Sequence, residues 1–199
     1  VYPFTDSQIL GISTFPYSLK DFFLEGTQQV SASWITLENL SFPYCISINS
    51  SYIYEQSTDE RINQNDAAIT LAHELGHYLG LRHVFSEGGT TSMCTDTDYC
   101  KDTPSYNRSE YEQWLNNLDK QNKYQLKDLA KRYSCEKGEY EAHNIMDYAY
   151  CFYNEITLEQ RKRIRHILNY SPLIPGPKES RIDTRGVQGR LNLPICIMK

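Results

Sequence analysis

Residues 73 to 83 read His-Glu-Leu-Gly-His-Tyr-Leu-Gly-Leu-Arg-His, supplying three imidazoles, a carboxylate and a glycine at a spacing suited to metal chemistry. On a helix, His73 and His77 stand four residues apart on one face, so a ring nitrogen of each can reach one zinc ion at about 2.0–2.1 Å. Glu74 sits one position round. Its carboxylate falls beside the open coordination position, where it can take a proton from a water rather than bind the ion itself. Gly80 tolerates the left-handed conformation that ends a helix, which lets His83 swing back as the third ligand. Three protein ligands leave one position open, the mark of a catalytic rather than a structural zinc. With ordinary residue usage, a chance match to the full spacing in a chain of this size arises roughly once in 100,000. A helix with two surface histidines is the alternative for the shorter pattern alone.

The elements that must position these residues are legible in part. Ala67, Ala68, Ile69, Leu71, Ala72, Leu75 and Leu79 predict a mostly apolar helix buried through the middle of a domain, with Asn65 or Asp66 as its cap. Residues 8–15, 29–37 and 44–54 are rich in Ile, Ser, Thr, Val and aromatic residues and read as strands of a sheet over that helix. Residues 108–133 carry Tyr111, Trp114, Leu115, Leu118, Leu126, Leu129 and Tyr133 at helical spacing, which predicts one long or two short amphipathic helices. A last helix starts at Thr157, with Gln160 completing a capping box, and ends before Pro172. Its Ile156, Ile164, Ile167 and Leu168 are expected to dock, and Arg161, Lys162, Arg163 and Arg165 to face outward. Residues 175–199 break structure at Pro175, Gly176 and Pro177 and are expected to wrap the surface as a tail.

Asn144-Ile145-Met146-Asp147-Tyr148 lies about sixty residues beyond the histidines. With the extended zinc motif, this stretch resembles the methionine-containing turn of the metzincin metallopeptidases. The resemblance implies that Met146 is an apolar floor beneath the three histidines. It also implies that the Tyr148 hydroxyl approaches the zinc and stabilises a tetrahedral oxyanion. A tyrosine merely packed with its hydroxyl satisfied is the alternative in a chain with 16 tyrosines. Closer still is the pappalysin-like, or cytophagalysin, family. His83-Val84-Phe85, Cys94, the run from Asp98 to Pro104, the turn, Cys151 and a closing helix from Thr157 follow the order that family shows. Upstream, Leu10 to Pro16 looks like its early strand and turn. The fold class implied is α/β (α+β): a twisted mixed sheet and active-site helix above a cleft, with a loop-rich lower half and a C-terminal helix. One catalytic domain is expected over 1–199, with an upper part to about 82, a lower part over about 83–174 and the tail.

Composition bounds the partners. A net charge of −5 and a pI near 5.6 leave no basic patch, which argues against nucleic acid or an anionic membrane surface. No run approaches eighteen apolar residues, so no membrane span is expected, and Val1-Tyr2-Pro3-Phe4 is not a signal peptide. The chain reads as a mature or trimmed fragment, expected to act as a monomer on a protein or peptide substrate. Six cysteines with no C-x-x-C pair suggest disulfides and an extracytoplasmic location, whether secreted, periplasmic or surface-anchored, with lipid anchoring of an upstream segment left open. The resemblance implies Cys94–Cys135 and Cys100–Cys151, leaving Cys45 and Cys196 for a third bridge; sequence alone does not fix the pattern. Sequons stand at Asn39, Asn49, Asn107 and Asn169.

Asp96, Asp98 and Asp102 cluster beside Thr103 and Pro104. In the family a similar loop binds calcium, which carries over to Asp98, the Cys100 carbonyl and Thr103; an ordinary acidic turn is the other reading. His143 and His166 are read as structural. Many relatives carry acidic residues between the turn tyrosine and the next cysteine, at the floor of the pocket for the side chain after the cleaved bond. This chain has Ala149-Tyr150, so Arg or Lys is not expected there, and an apolar or small side chain is. The whole reading is a zinc endopeptidase with Glu74 as general base. The rivals are a non-catalytic zinc or peptide-binding module, and a zinc hydrolase whose third ligand is a downstream glutamate.

Overall fold

Residues 1–36, 38–39, 44–58, 62–86, 97–119, 122–134 and 136–174 are described by a computed structural model. Helix α1, Ala67–Tyr78, organises the site. It begins where Asp66 accepts hydrogen bonds from the Ala68 and Ile69 N–H groups at 2.7 and 3.2 Å, so the cap falls on Asp66 rather than Asn65. Strands β1 (Gly11–Ser13) and β4 (Ile46–Ile48) pair antiparallel and pack on this helix. Strands β2 (Tyr17–Leu19) and β3 (Gln28–Val30) pair in parallel, and β5 (Lys131–Ser134) and β6 (Gly138–Glu141) form an antiparallel hairpin. The fold is therefore mixed α/β, with its sheet structure in short pairs among the described residues. Of the expected strands, 8–15 and 44–54 pair over three residues each, and 29–37 pairs only at its start, giving way to a 3-10 turn at Ala32–Trp34.

The segment expected to be wholly helical divides into α2 (Arg108–Asn116), the single turn α3 (Leu126–Leu129) and β5. Tyr133 follows strand alternation there: it is exposed, whereas Arg132 and Ser134 are buried. Helix α4, Leu158–Tyr170, opens with the Thr157–Gln160 capping box.

Three burial expectations are corrected, one of them that Leu168 of α4 docks, since it is exposed. Helix α1 is covered on one face only: Thr70, His73, Glu74 and Gly76 are buried, whereas Leu71 and Leu75 are exposed among the described residues. Arg163 turns inward instead of outward, because its guanidinium donates to the Gly80 and Glu25 carbonyls at 3.1 and 3.0 Å. Those acceptors are carbonyls left open where the chain leaves α1 and turns before β3. Asn49 is fully buried, its amide donating to the Ile9 carbonyl at 2.9 Å, so that sequon is structural in this fold. Asn107 caps α2. The tail, Asp96, Cys94, Cys135 and Cys196 lie outside the described residues.

Candidate active site

Helix α1 delivers His73 and His77, and the chain reverses at Gly80, whose φ is +87°. A Cβ at Gly80 would stand 2.7 Å from Ile167 of α4, so both the backbone conformation and the close packing require glycine. The reversal brings His83 back, and the His83 Nε2 lies 3.0 Å from that of His77 and 3.2 Å from that of His73. Among the described residues this is the one group of three potential metal ligands.

The spacing matches a metal site. Nitrogens placed about 2.0–2.1 Å from a tetrahedral ion are separated by roughly 3.4 Å. Hydrogen bonding fixes the tautomers of His73 and His77. His73 Nδ1 lies 2.7 Å from the Ile145 carbonyl and His77 Nδ1 lies 2.8 Å from the Leu81 carbonyl, so both Nδ1 atoms must carry protons. Their Nε2 atoms are then unprotonated and converge with the His83 Nε2 on one point. Burial, reinforced by the neighbouring His77 and His83, pulls the His73 imidazole down to about 3, keeping it neutral as a ligand must be.

Glu74 lies beside this cluster, and burial pushes its carboxyl up to about 7. Gly11 of β1 makes room for it: a Cβ there would stand 2.7 Å from Glu74 Cγ and 3.0 Å from Oε1. A comparable fit lies beneath the histidines. Met146 is fully buried with Leu81 and Val84, and a Cβ on Gly76 would come within 2.3 Å of its Sδ. Neither Gly11 nor Gly76 was assigned a role from sequence. Their signal is only that a small residue stands opposite a bulky one after folding, which a linear reading does not display.

The turn itself is held from α4. Asn144 Nδ2 donates to Gln160 Oε1 at 2.8 Å, Gln160 Nε2 donates back to Asn144 Oδ1 at 3.1 Å, and that same Oδ1 accepts from the Met146 N–H. Beyond it, the ring of Tyr148 stands edge-on to His83 with centroids 4.4 Å apart. Asp147 points the opposite way, into a buried network. Its Oδ1 accepts from the Tyr106 hydroxyl and the Tyr148 N–H, and its Oδ2 faces Arg132. Burial pushes the Asp147 carboxyl up, while Arg132, Tyr106 and the Tyr148 N–H oppose that rise. Arg132 also donates to the Tyr148 carbonyl at 3.1 Å, so strand β5 grips the segment that carries the tyrosine. Nothing in the sequence marks this arginine, because a charge in a polar stretch looks like solvated surface.

Asp98, Cys100 and Thr103 do meet in one turn. Asp98 accepts from the Cys100 N–H at 2.9 Å and the Thr103 hydroxyl at 2.6 Å, and the Cys100 carbonyl lies 2.6 Å from that hydroxyl. The expected Cys100–Cys151 bridge is not formed. Both are buried free thiols, each pushed up to about 12, mainly by burial. The Cys151 sulfur is occupied locally, donating to the Asn144 carbonyl at 3.3 Å and accepting from the Tyr153 N–H. Cys45 is also a free thiol, and Cys196, its expected partner, lies outside the described residues. His143 contacts Asn154, and His166 donates to the Phe22 carbonyl, both away from the ligand cluster. No helix among the described residues is long and apolar enough to cross a membrane.

The sequence matches the model of the peptidase M43 family, described as Pregnancy-associated plasma protein-A, over residues 34–169. Similar proteins include an extracellular metalloprotease of Arthroderma benhamiae and one of Trichophyton verrucosum, each 37% identical over 108 residues. A third, from Arthroderma otae, has the same identity. Those alignments cover 53% of this chain and 32–33% of each relative, so the chain spans about a third of their length. With a three-histidine cluster on a helix, a carboxylate beside it and a methionine turn beneath it, the chain belongs to the peptidase M43 family, the pappalysin branch of the metzincins.

Proposed function

We propose that this chain is a zinc endopeptidase, and the observation that carries the reading is the convergence of three imidazole nitrogens beside the buried Glu74 carboxylate. His73, His77 and His83 would hold zinc, which when bound polarises a scissile carbonyl and acidifies the attacking water. Glu74 takes the proton from that water and passes it to the departing amine. Tyr148 donates a hydrogen bond to the oxygen that gains charge, a contribution worth about 3–4 kcal/mol for one well-placed donor. The substrate backbone adds along β1, which pairs only with β4 among the described residues and runs past Glu74 at Gly11.

Asp98, the Cys100 carbonyl and Thr103 supply converging hard oxygens that would suit calcium. All the ligand and proton-transfer groups lie in one chain, which suits a monomer. The relatives' names support action outside the cell.

The test is incubation of the zinc-loaded chain with a mixed protein digest, beside a Glu74→Gln variant and a chelated sample, with new termini mapped by mass spectrometry. Cleavage that disappears in both controls is the expected result. Full zinc occupancy without cleavage would favour a binding module, and cleavage by Glu74→Gln at the wild-type rate would remove Glu74 from the proposed role.

A further inference from the structure

A cavity of about 410 Å³ opens beside the ligand cluster and is bordered by Glu74, His73 and Tyr148. Glu74 hands its proton to the amine side of the broken bond, so a cavity lined by Glu74 receives the side chain of the residue following that bond.

The charges around this cavity are unequal in their freedom. Asp147 is committed to Arg132, the Tyr106 hydroxyl and the Tyr148 N–H. Glu112 stands half-exposed at the rim, paired with the Arg108 Nε. Arg108 is the one cation among the described lining residues, and two rings hold it. Its guanidinium carbon lies 4.6 Å from the centroid of Tyr148 and 5.1 Å from that of Phe85. Only its Nε is engaged by a protein acceptor, which leaves the two terminal nitrogens of the fork.

We infer that this pocket selects an acidic side chain, Asp or Glu, after the cleaved bond, with Arg108 as the residue that reads its carboxylate. This rests on the endopeptidase reading and names its substrate class. A guanidinium with free terminal nitrogens matches a carboxylate in a two-pronged geometry, and a surface pair spaced i,i+4 is weak enough to give way to it. The amides of Gln8 and Gln64 line the same space and are compatible with an acidic head group. A lysine would instead bring its ammonium against a cation pinned between two rings. The apolar preference expected from Ala149 is replaced, because the charge comes from α2 and not from the stretch after the turn tyrosine.

The experiment uses one peptide scaffold varied only at the residue after the bond, as Glu, Gln, Leu or Lys, cleaved by the zinc-loaded protein. Expected is a kcat/KM for Glu on the order of tenfold above Lys, with Arg108→Glu reversing the order and Arg108→Lys retaining it. A wild-type preference for Lys or Leu, or a Glu-to-Lys ratio unchanged by Arg108→Glu, overturns the assignment. In parallel, peptides beginning with Glu or Lys, the amine-side products, are titrated calorimetrically into Glu74→Gln. Tighter binding of the Glu peptide, abolished by adding Arg108→Glu, supports the pocket, and equal binding overturns it. Absence of cleavage of every peptide would defeat the endopeptidase reading alone, with the titration still deciding what the pocket binds.

Discussion

Asp147 Oδ2 lies 3.4 Å from Arg132 Nε in a pair whose side chains are 2% and 0% exposed, directly behind the backbone of Tyr148. Such a pair is expensive to break from one side, because the remaining charge stays buried without its counterion. Asp147→Ala should therefore destabilise the chain by about 3–5 kcal/mol in urea unfolding. A loss under about 1 kcal/mol would show that water reaches the guanidinium, at odds with its burial.

Gly76 lies within α1, where alanine normally stabilises a helix by about 0.8–1 kcal/mol. Here the added Cβ would approach Met146 Sδ at 2.3 Å, so Gly76→Ala should instead cost about 1–3 kcal/mol. Combining it with Met146→Ala should relieve that added cost, leaving the double variant more stable than the sum of the two single changes predicts. Strict additivity in the unfolding free energies would mean the two groups do not meet.

Asp66 links the cap of α1 to solution pH. Burial raises its carboxyl, but hydrogen bonds from Ser57, Ile69 and Ala68 outweigh that and leave it below the ordinary carboxylate value. A folded-state value below the unfolded one means that the cap stabilises above the ordinary value near pH 4 and that this contribution is lost as pH falls through the folded value. Asp66→Ala should cost about 0.5–2 kcal/mol at pH 7. The difference from wild type should shrink in unfolding curves taken at progressively more acid pH; a difference that grows on acidification would reverse the sign of the linkage.

Tyr148→Phe removes one hydroxyl and leaves the ring packed against His83. If that hydroxyl serves the developing oxyanion, kcat should fall about 10²–10³-fold while KM, zinc content and melting temperature stay near wild type. A loss confined to KM would place the hydroxyl in ground-state binding instead.

The parts of this site readable from sequence are those set by local periodicity. The helical spacing of His73 and His77, the reversal at Gly80 and the Thr157 capping box all depend on residues within one or two turns of one another. What escaped depends on distant partners. Arg132 and Asp147 are fifteen residues apart on a strand and a turn, and Gly76 has meaning only opposite Met146. Arg163 misled for the same reason: its position in a basic run suggests a wet face, yet its acceptors are the backbone carbonyls of Gly80 and Glu25. The split of residues 108–133 into helix and strand reflects tertiary pairing with β6, which outweighs the helical spacing of the aromatic residues.

The imidazoles of His73 and His77 are tethered through Nδ1 to backbone oxygens of Ile145 and Leu81, one in the methionine turn and one just past the helix. Ion occupancy is therefore linked to the conformational integrity of both segments, and each segment in turn tunes the ion's dissociation constant. At a free concentration a hundredfold above that constant, the native state gains about 2.7 kcal/mol. A chelator should therefore act on this molecule as a mild denaturant directed at two backbone segments, and amide exchange at Ile145 and Leu81 would register metal loss in parallel with any loss of turnover.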